Sequence, residues 1–295
     1  MTLLEKQGVP TVAFTAEAFV RDARRSAESF GLPELPIAVV PKPFTNQPPE
    51  AIRAMVAGAI DQVIAGLTRP LTRAEIPEEL VFIDEEWLEF EGEDLLGAVR
   101  AMNERFLAYG WSDGFPLVPP TEGALEQMLK GTGRSPEDVV GVLEPGFGLA
   151  TVKKVAANAV MAGCRPEHLP VVIAPVECLA EPKIYLRNKA MPTCAHTPLR
   201  WVNGPIRKRS GLNGGICALG PGAPSFANTV IGRAVRLCLM NLGHAYPGVS
   251  DMDTVGSPLK YSACVAENEE ASPWPPYHVG HGFDPEASTV TVQFV

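Results

Sequence analysis

The chain lacks any uninterrupted apolar run of the ~18 residues that a bilayer-spanning helix needs. Its first residues, Met1-Thr-Leu-Leu-Glu-Lys-Gln7, are too polar for a secretory signal. The expected location is therefore the cytoplasm. Positive charge is also in short supply: 25 Lys and Arg stand against 34 Asp and Glu, for a net charge of -9. Such a surface repels phosphate backbones and anionic lipids, so neither a general nucleic-acid binder nor a membrane-surface binder is expected. Cysteine pairing is missing as well. Cys164, Cys178, Cys194, Cys217, Cys238 and Cys264 are scattered, with no C-x-x-C among them. In a reducing compartment these read as free thiols, not as a disulfide framework or a cysteine zinc site. No nucleotide motif is found: Asn213-Gly-Gly215 lacks the Lys-Ser/Thr of a phosphate loop. Internal repeats and low-complexity segments are absent too.

What remains is a globular composition, 46% hydrophobic and 20% charged over 295 residues, long enough for two domains. Residues 1–67 read as a small α/β domain with a parallel sheet. Strand Val9 to Phe14 leads to a helix capped by Thr15 that ends at Gly31; strand Leu35 to Val40 leads to an apolar-faced helix from Ala51 to Ile64. Right-handed crossovers then join parallel strands. Residues 68–93 form an acidic connector with Asp84-Glu85-Glu86. Residues 94–295 read as a larger mixed α/β domain. Its expected elements are helices from Asp94 to Tyr109, Glu122 to Lys130 and Val152 to Ala162 (capped by Thr151), and one from Ser225 or Asn228 to Gly243. Strands are expected at Leu169 to Val176, Tyr261 to Ala266 and Ser288 to Phe294. The fold class is α/β.

From Val202 to His278 the chain interleaves Gly, Pro and Asn turns with Val, Ile, Leu and Trp. Tight turns on a packed scaffold that carry Asn, Lys, Tyr and Glu read as the wall of a small-molecule site. Glu267, Glu269 and His278 are the candidate catalytic residues, because paired carboxylates divide acid and base roles when their environments differ. Asn203, Gly204, Asn213, Gly220, Lys260 and Tyr261 are the candidate substrate-binding residues. Turns at Asn203-Gly204 and Asn213-Gly214-Gly215 expose backbone N–H groups, and Gly220-Pro-Gly222 leads into a helix N-terminus. A divalent metal is the one cofactor these residues suggest, with His278, His281 and Glu267 as its candidate ligands. Each group also has a structural reading, as an acidic turn, a hairpin or a strand start.

Several further features read as structural. Cys194 and His196 are read as a loop with a buried thiol ahead of a nucleophile and base. Arg200, Arg207, Lys208 and Arg209 are read as a solvated loop, Asp113 as a turn residue, and Arg233 as the partner of Asp251 or Asp253. The cysteines other than Cys194 are expected in the core.

Leu4-Glu-Lys-Gln-Gly-Val-Pro-Thr11 and Leu35-Pro-Ile-Ala-Val-Val-Pro41 resemble the N-terminal domain of the UGSC family of selenoproteins and their cysteine homologues. More distantly, the segment resembles the selenoprotein B subunit of glycine, sarcosine and betaine reductases. The second domain resembles the larger members of that family through Trp111-Ser-Asp-Gly-Phe-Pro-Leu-Val-Pro-Pro-Thr121, Asn158-Ala-Val-Met-Ala-Gly-Cys164, Val202-Asn-Gly-Pro-Ile206, Ile231-Gly-Arg-Ala234 and Ala266-Glu-Asn-Glu-Glu-Ala-Ser-Pro-Trp274. In that family a Sec- or Cys-Gly-Ser-Cys motif stands shortly before the Leu-Glu-Lys element. Here the chain begins at that element. A helix from Leu4 to Gln7 would have favoured the thiolate there.

The resemblance implies thiol- or selenol-dependent, reductive bond cleavage on a small organic substrate, and a heteromeric oxidoreductase or lyase. The expected partners are the substrate and a subunit carrying the missing motif, within an oligomer. A late start of the chain and a loss of the redox chemistry are the other two accounts. A metal- or carboxylate-dependent hydrolase or lyase and a non-catalytic scaffold subunit are the alternative functions.

Overall fold

The structure is a computed structural model that describes residues 4, 5, 8–17, 20, 23, 24, 27, 32–41, 47–69 and 87–295. The chain has both helices and strands, in an α/β arrangement of small sheets. It divides into two compact units, Met1–Leu88 and Glu89–Val295, with the break inside the acidic connector.

In the first unit, β1 (Ala13–Ala16) pairs in parallel with β2 (Ile37–Val40), Ala13 opposite Ile37 and Ala16 opposite Val40. The ladder starts later than the apolar run from Val9; its neighbour in the ladder is closed by Ala13 N–H donating to Pro36 O at 2.9 Å. The helix expected from Thr15 to Phe30 lies largely outside the described residues, as do Lys6 and Gln7 of the expected Leu4 to Gln7 helix. Helix α1 (Pro49–Thr68) packs on β2. The Gln62 side chain accepts the Val39 N–H at 3.0 Å. Gly66 sits so close that a Cβ there would lie 2.6 Å from Val12 and 2.7 Å from Pro36. By length and composition α1 would suffice to cross a bilayer, which a count of uninterrupted apolar residues does not register, because Arg53 and Asp61 break the run. Only Ala59 in it is buried.

The second unit packs its helices against a two-stranded hairpin and a three-stranded sheet. Helix α2 (Leu95–Ala108) starts at Asp94, whose carboxylate accepts the Gly97 N–H at 2.7 Å. Helix α3 (Glu122–Leu129) starts at Thr121, whose hydroxyl accepts from Ala124 N. The hairpin β3 (Val139–Leu143) and β4 (Gly148–Thr151) feeds α4 (Val152–Met161), capped by Thr151 as its sequence implies.

Next comes α5 (Leu169–Ala180), where a strand was expected. A short β-branched apolar run has no periodicity that separates a buried strand from a buried helix. Here Leu169, Val171, Val172, Val176 and Leu179 are all within 1% of complete burial, around more than one face of the helix. Each contributes about 1.5–3 kcal/mol, against a helix-propensity cost of at most about 0.7 kcal/mol per β-branched residue. Burial wins even with Pro175 inside the helix, an interruption worth roughly 3 kcal/mol. Pro170 in the first turn is already set for a helical start.

The short helix α6 (Leu186–Ala190) precedes β5 (Pro198–Asn203), and α7 (Ile206–Arg209) follows it. Helix α8 (Phe226–Asn241) lies against α4 and α5 and over β6 (Cys264–Ala266). The strand expected from Tyr261 is shorter because Pro258–Lys260 forms a 3-10 turn. Helix α9 (Tyr277–Gly280) leads to β7 (Thr289–Phe294). In this sheet β5 is central, parallel to β6 and antiparallel to β7.

Candidate functional site

Parallel pairing of β5 with β6 sets Val202 opposite Ala266, so Asn203 and Glu267 leave neighbouring strands side by side. The carboxyl ends of parallel strands are where open α/β sheets place their ligands. The Glu267 N–H donates to Val202 O at 3.0 Å and extends the ladder by one bond.

Asn203 is fully buried and its Nδ2 donates to both Glu267 and Glu269 Oε1, the latter at 3.0 Å. Glu269 Oε1 also accepts the Gly204 N–H at 2.8 Å, and Glu267 Oε2 accepts the Tyr277 N–H at 2.9 Å. Gly204 has φ 79°, and a Cβ there would lie 2.0 Å from Ala287 O, so only glycine fits. Asn203 Oδ1 is buried and has no partner among the described residues.

A residue missing from the expected site organises this corner. The guanidinium of Arg207 donates to Gly204 O at 3.2 Å and Glu267 O at 2.8 Å, pairs with Glu269, and reaches Glu270 at 3.2 Å. Hydrogen bonds from Arg207 and Lys208 hold the Glu270 carboxyl far below its ordinary range, at about 2. The expectation of a solvated basic loop is thus corrected for Arg200 and Arg207, which are 1% and 8% exposed; Lys208 stays in solvent. The signal was present in the sequence: in Pro198-Leu-Arg-Trp-Val-Asn203, Arg200 shares the strand face of Pro198 and Val202.

The other candidates fall into separate groups. Asn213 spends its side chain locally, on Ile216 O, Ser225 Oγ and the Gly215 N–H. Asn228, inside α8, exchanges both amide bonds with the Asn213 backbone and donates to Cys264 O. Gly220 adopts φ 87° ahead of Pro221. Ser225 does not cap α8, because its hydroxyl donates to Cys217 O.

Lys260 lies in the 3-10 turn and pairs with Asp251 at 2.8 Å and Asp253 at 2.9 Å. Tyr261 is exposed, edge-on to Phe115 with ring centroids 5.0 Å apart. Arg233 does not take Asp251 or Asp253. Its fork grips Asp113 at 2.6 and 2.9 Å, while Arg236, one turn on, meets Asp251. Asp113 is therefore more than a turn residue.

His278 is buried, its Nε2 lies 3.3 Å from Pro285 O, and its Nδ1 has no partner among the described residues. His281 Nδ1 lies 2.9 Å from Tyr277 O. Glu267 is engaged by Asn203 and Tyr277 and not by either imidazole. Among the described residues no three His, Cys, Asp or Glu side chains converge, so the His278, His281 and Glu267 set is not a metal cluster in this geometry.

Cys194 and Cys217 are both exposed, which corrects the expectation that Cys217 is a core thiol and Cys194 a buried one. Among the described residues, no hydrogen bond joins the Cys194 thiol to the His196 imidazole. Burial pushes Cys238 and Cys264 up to about 12 and raises Cys164 well above the ordinary thiol range. Brief alkylation of the native protein should therefore label Cys194 and Cys217 and leave Cys164, Cys238 and Cys264 untouched until it unfolds. Peptide mass spectrometry reads this directly, and early labelling of Cys238 or Cys264 would contradict the packing.

Residues 2–69 match the UGSC family. No curated protein and no solved structure matches the chain. The match falls within the first unit, on the segments Leu4–Thr11 and Leu35–Pro41 that carry the resemblance.

Proposed function

We propose that this chain is a cytoplasmic subunit of an enzyme that cleaves a bond in a small organic substrate by thiol- or selenol-dependent, reductive chemistry, with the reactive sulfur or selenium on a partner chain. The observation that carries this reading is the UGSC-family match over residues 2–69. The distant resemblance to selenoprotein B points to the same chemistry. The free state of all six cysteines agrees with a reducing compartment.

In the proposed reaction the partner's thiolate or selenolate attacks carbon, and the leaving heteroatom departs with the bonding electron pair and takes a proton. A second thiol then attacks the sulfur or selenium of the adduct. Carbon leaves with that electron pair, takes a proton, and a disulfide or selenenylsulfide forms. Glu267 and His278 are the proposed proton donors: half-buried Glu267 is bonded to Asn203, whose Oδ1 has no partner among the described residues, and buried His278 has an Nδ1 that likewise has none among them. Glu269, pinned by Arg207 and the Gly204 N–H, fits a positioning role for Asn203 better than proton transfer.

A scaffold role is the second reading, favoured by the internal partners that occupy all three glutamates. In the reconstituted complex, Glu267→Gln should lower kcat by about 10²–10⁴-fold if Glu267 moves a proton. Unchanged kcat assigns the chain to the scaffold. The DNA upstream of the Met1 codon tests the partner arrangement. A separate neighbouring reading frame encoding Sec- or Cys-Gly-Ser-Cys supports it. An in-frame extension bearing that motif overturns the partner, and absence of both overturns the thiol chemistry.

A further inference from the structure

Arg200 is the largest fully buried side chain in the second unit, 1% exposed on the inner face of β5. Its one hydrogen bond among the described residues is from Nη1 to Ala263 O, at 3.4 Å, and its buried Nε has no partner. No carboxylate of the described residues lies within ion-pair distance of it. Burial lowers its pKa to about 10, which still leaves it charged at neutral pH. The nearby Cys238 and Cys264, pushed up to about 12 by burial, are neutral thiols and supply no counter-charge.

Arg200 lines a cavity of about 20 Å³ together with His196, Arg236, Asp251 and Lys260, with Ala190 in its wall. By the measure in which roughly 10–15 Å³ holds one water, this is room for a head group and not for a whole substrate. The charge balance of the cluster is uneven. Asp251 and Asp253 neutralise Arg236 and Lys260, at 3.3 Å and at 2.8 and 2.9 Å, and Arg200 is left over. Lys189, half-buried over the Phe294 ring, also lines the cavity, so the cluster carries surplus positive charge, of which the Arg200 share is fully buried. A buried charge of that kind is stable only with a counter-ion and good hydrogen bonds. A second unsatisfied group borders the same cavity: the buried Nδ1 of His196 has no partner among the described residues.

We propose that this cavity binds the carboxylate of a small-molecule monoanion, held by the open edge of the Arg200 guanidinium and by His196. A guanidinium presents its N–H groups in a planar fork that matches the two oxygens of a carboxylate. The nearby Asp251 carboxylate disfavours a dianion such as hydrogen phosphate. This site is distinct from the Asn203 and Glu267 corner and does not depend on the thiol reading.

Titration calorimetry of the whole chain in a zwitterionic buffer tests the assignment, with sodium formate, sodium acetate, sodium chloride and sodium phosphate as probes. Formate or acetate should bind saturably at one site per chain, at least tenfold more tightly than phosphate or chloride. Arg200→Met should weaken that binding at least tenfold, and Arg200→Lys should retain part of it. Should Arg200→Met fail to fold, Ala190→Leu, which narrows the cavity without touching a charge, should give the same loss. Carboxylates that produce no saturable heat, or that bind both folded variants as they bind the native chain, overturn the proposal. Tighter binding of chloride or phosphate, lost in the same variants, overturns the carboxylate assignment in favour of an inorganic anion.

Discussion

Replacing Arg233 by Met should lower the unfolding free energy by about 3–5 kcal/mol, the usual cost of stripping one partner from a buried ion pair. Asp113 is only 2% exposed at its side chain, and Arg233 is the cation paired with it. The same guanidinium also donates to Phe115 O at 3.1 Å and Pro116 O at 3.0 Å. It therefore ties the Trp111–Pro120 loop to α8 across 120 residues of sequence. Loss of the side chain leaves a buried carboxylate and two carbonyls without their donor. Arg233→Lys keeps the charge but not the fork, and should recover only part of the loss. In a double-mutant cycle with Asp113→Asn, the double variant should be more stable than the sum of the singles implies. Urea unfolding measures all five proteins, and a loss under 1 kcal/mol for Arg233→Met would place the pair among ordinary surface ion pairs.

A loss of similar size, about 3–5 kcal/mol, is expected for Arg207→Met. Arg207 and Glu269 are 9% and 13% exposed at their side chains, so the abandoned carboxylate has little water to turn to. This substitution also has a pH signature. Glu270 titrates at about 2 when folded, against an ordinary 4.5, because Arg207 and Lys208 hydrogen-bond its charged form. A depressed carboxylate stabilises the fold above its unfolded pKa, and that contribution fades as pH falls from 4.5 towards 2. Its size is small because half of the Glu270 side chain is in solvent. Between pH 4.5 and 2 the native chain should lose this increment, and Arg207→Met should lose less of it. Parallel slopes for the two proteins across that window would show that Lys208 alone holds the charge.

The residues that organise both corners were partly legible in the sequence. Helix starts at Asp94, Thr121 and Thr151 follow from capping chemistry that acts within three residues. The alternation in Pro198–Asn203 was enough to turn Arg200 inward, but a cluster of four cations over ten residues reads first as surface. Helix α5 was not legible, because its environment and not its periodicity decides its state. Pairings such as Arg233 with Asp113 depend on which loops the packing of α8 brings within reach. Two arginines one turn apart offer no local sign of which aspartate each will meet. For the candidate site, the adjacency of Asn203 to Glu267 follows from strand pairing, which sequence order alone does not specify.

Asn228 behaves as a piece of backbone. Its amide bonds the Asn213 N–H and C=O as a neighbouring strand residue would, and its second N–H takes the Cys264 carbonyl. The loop that carries Cys217 is thereby stapled to a side chain rooted in the hydrophobic core, and not only to its own ends. Its local opening is coupled to α8, so the loop and the helix form one cooperative unit. Amide exchange at Asn213 then reports on the core, although Gly211 and Gly215, two residues to either side, are exposed.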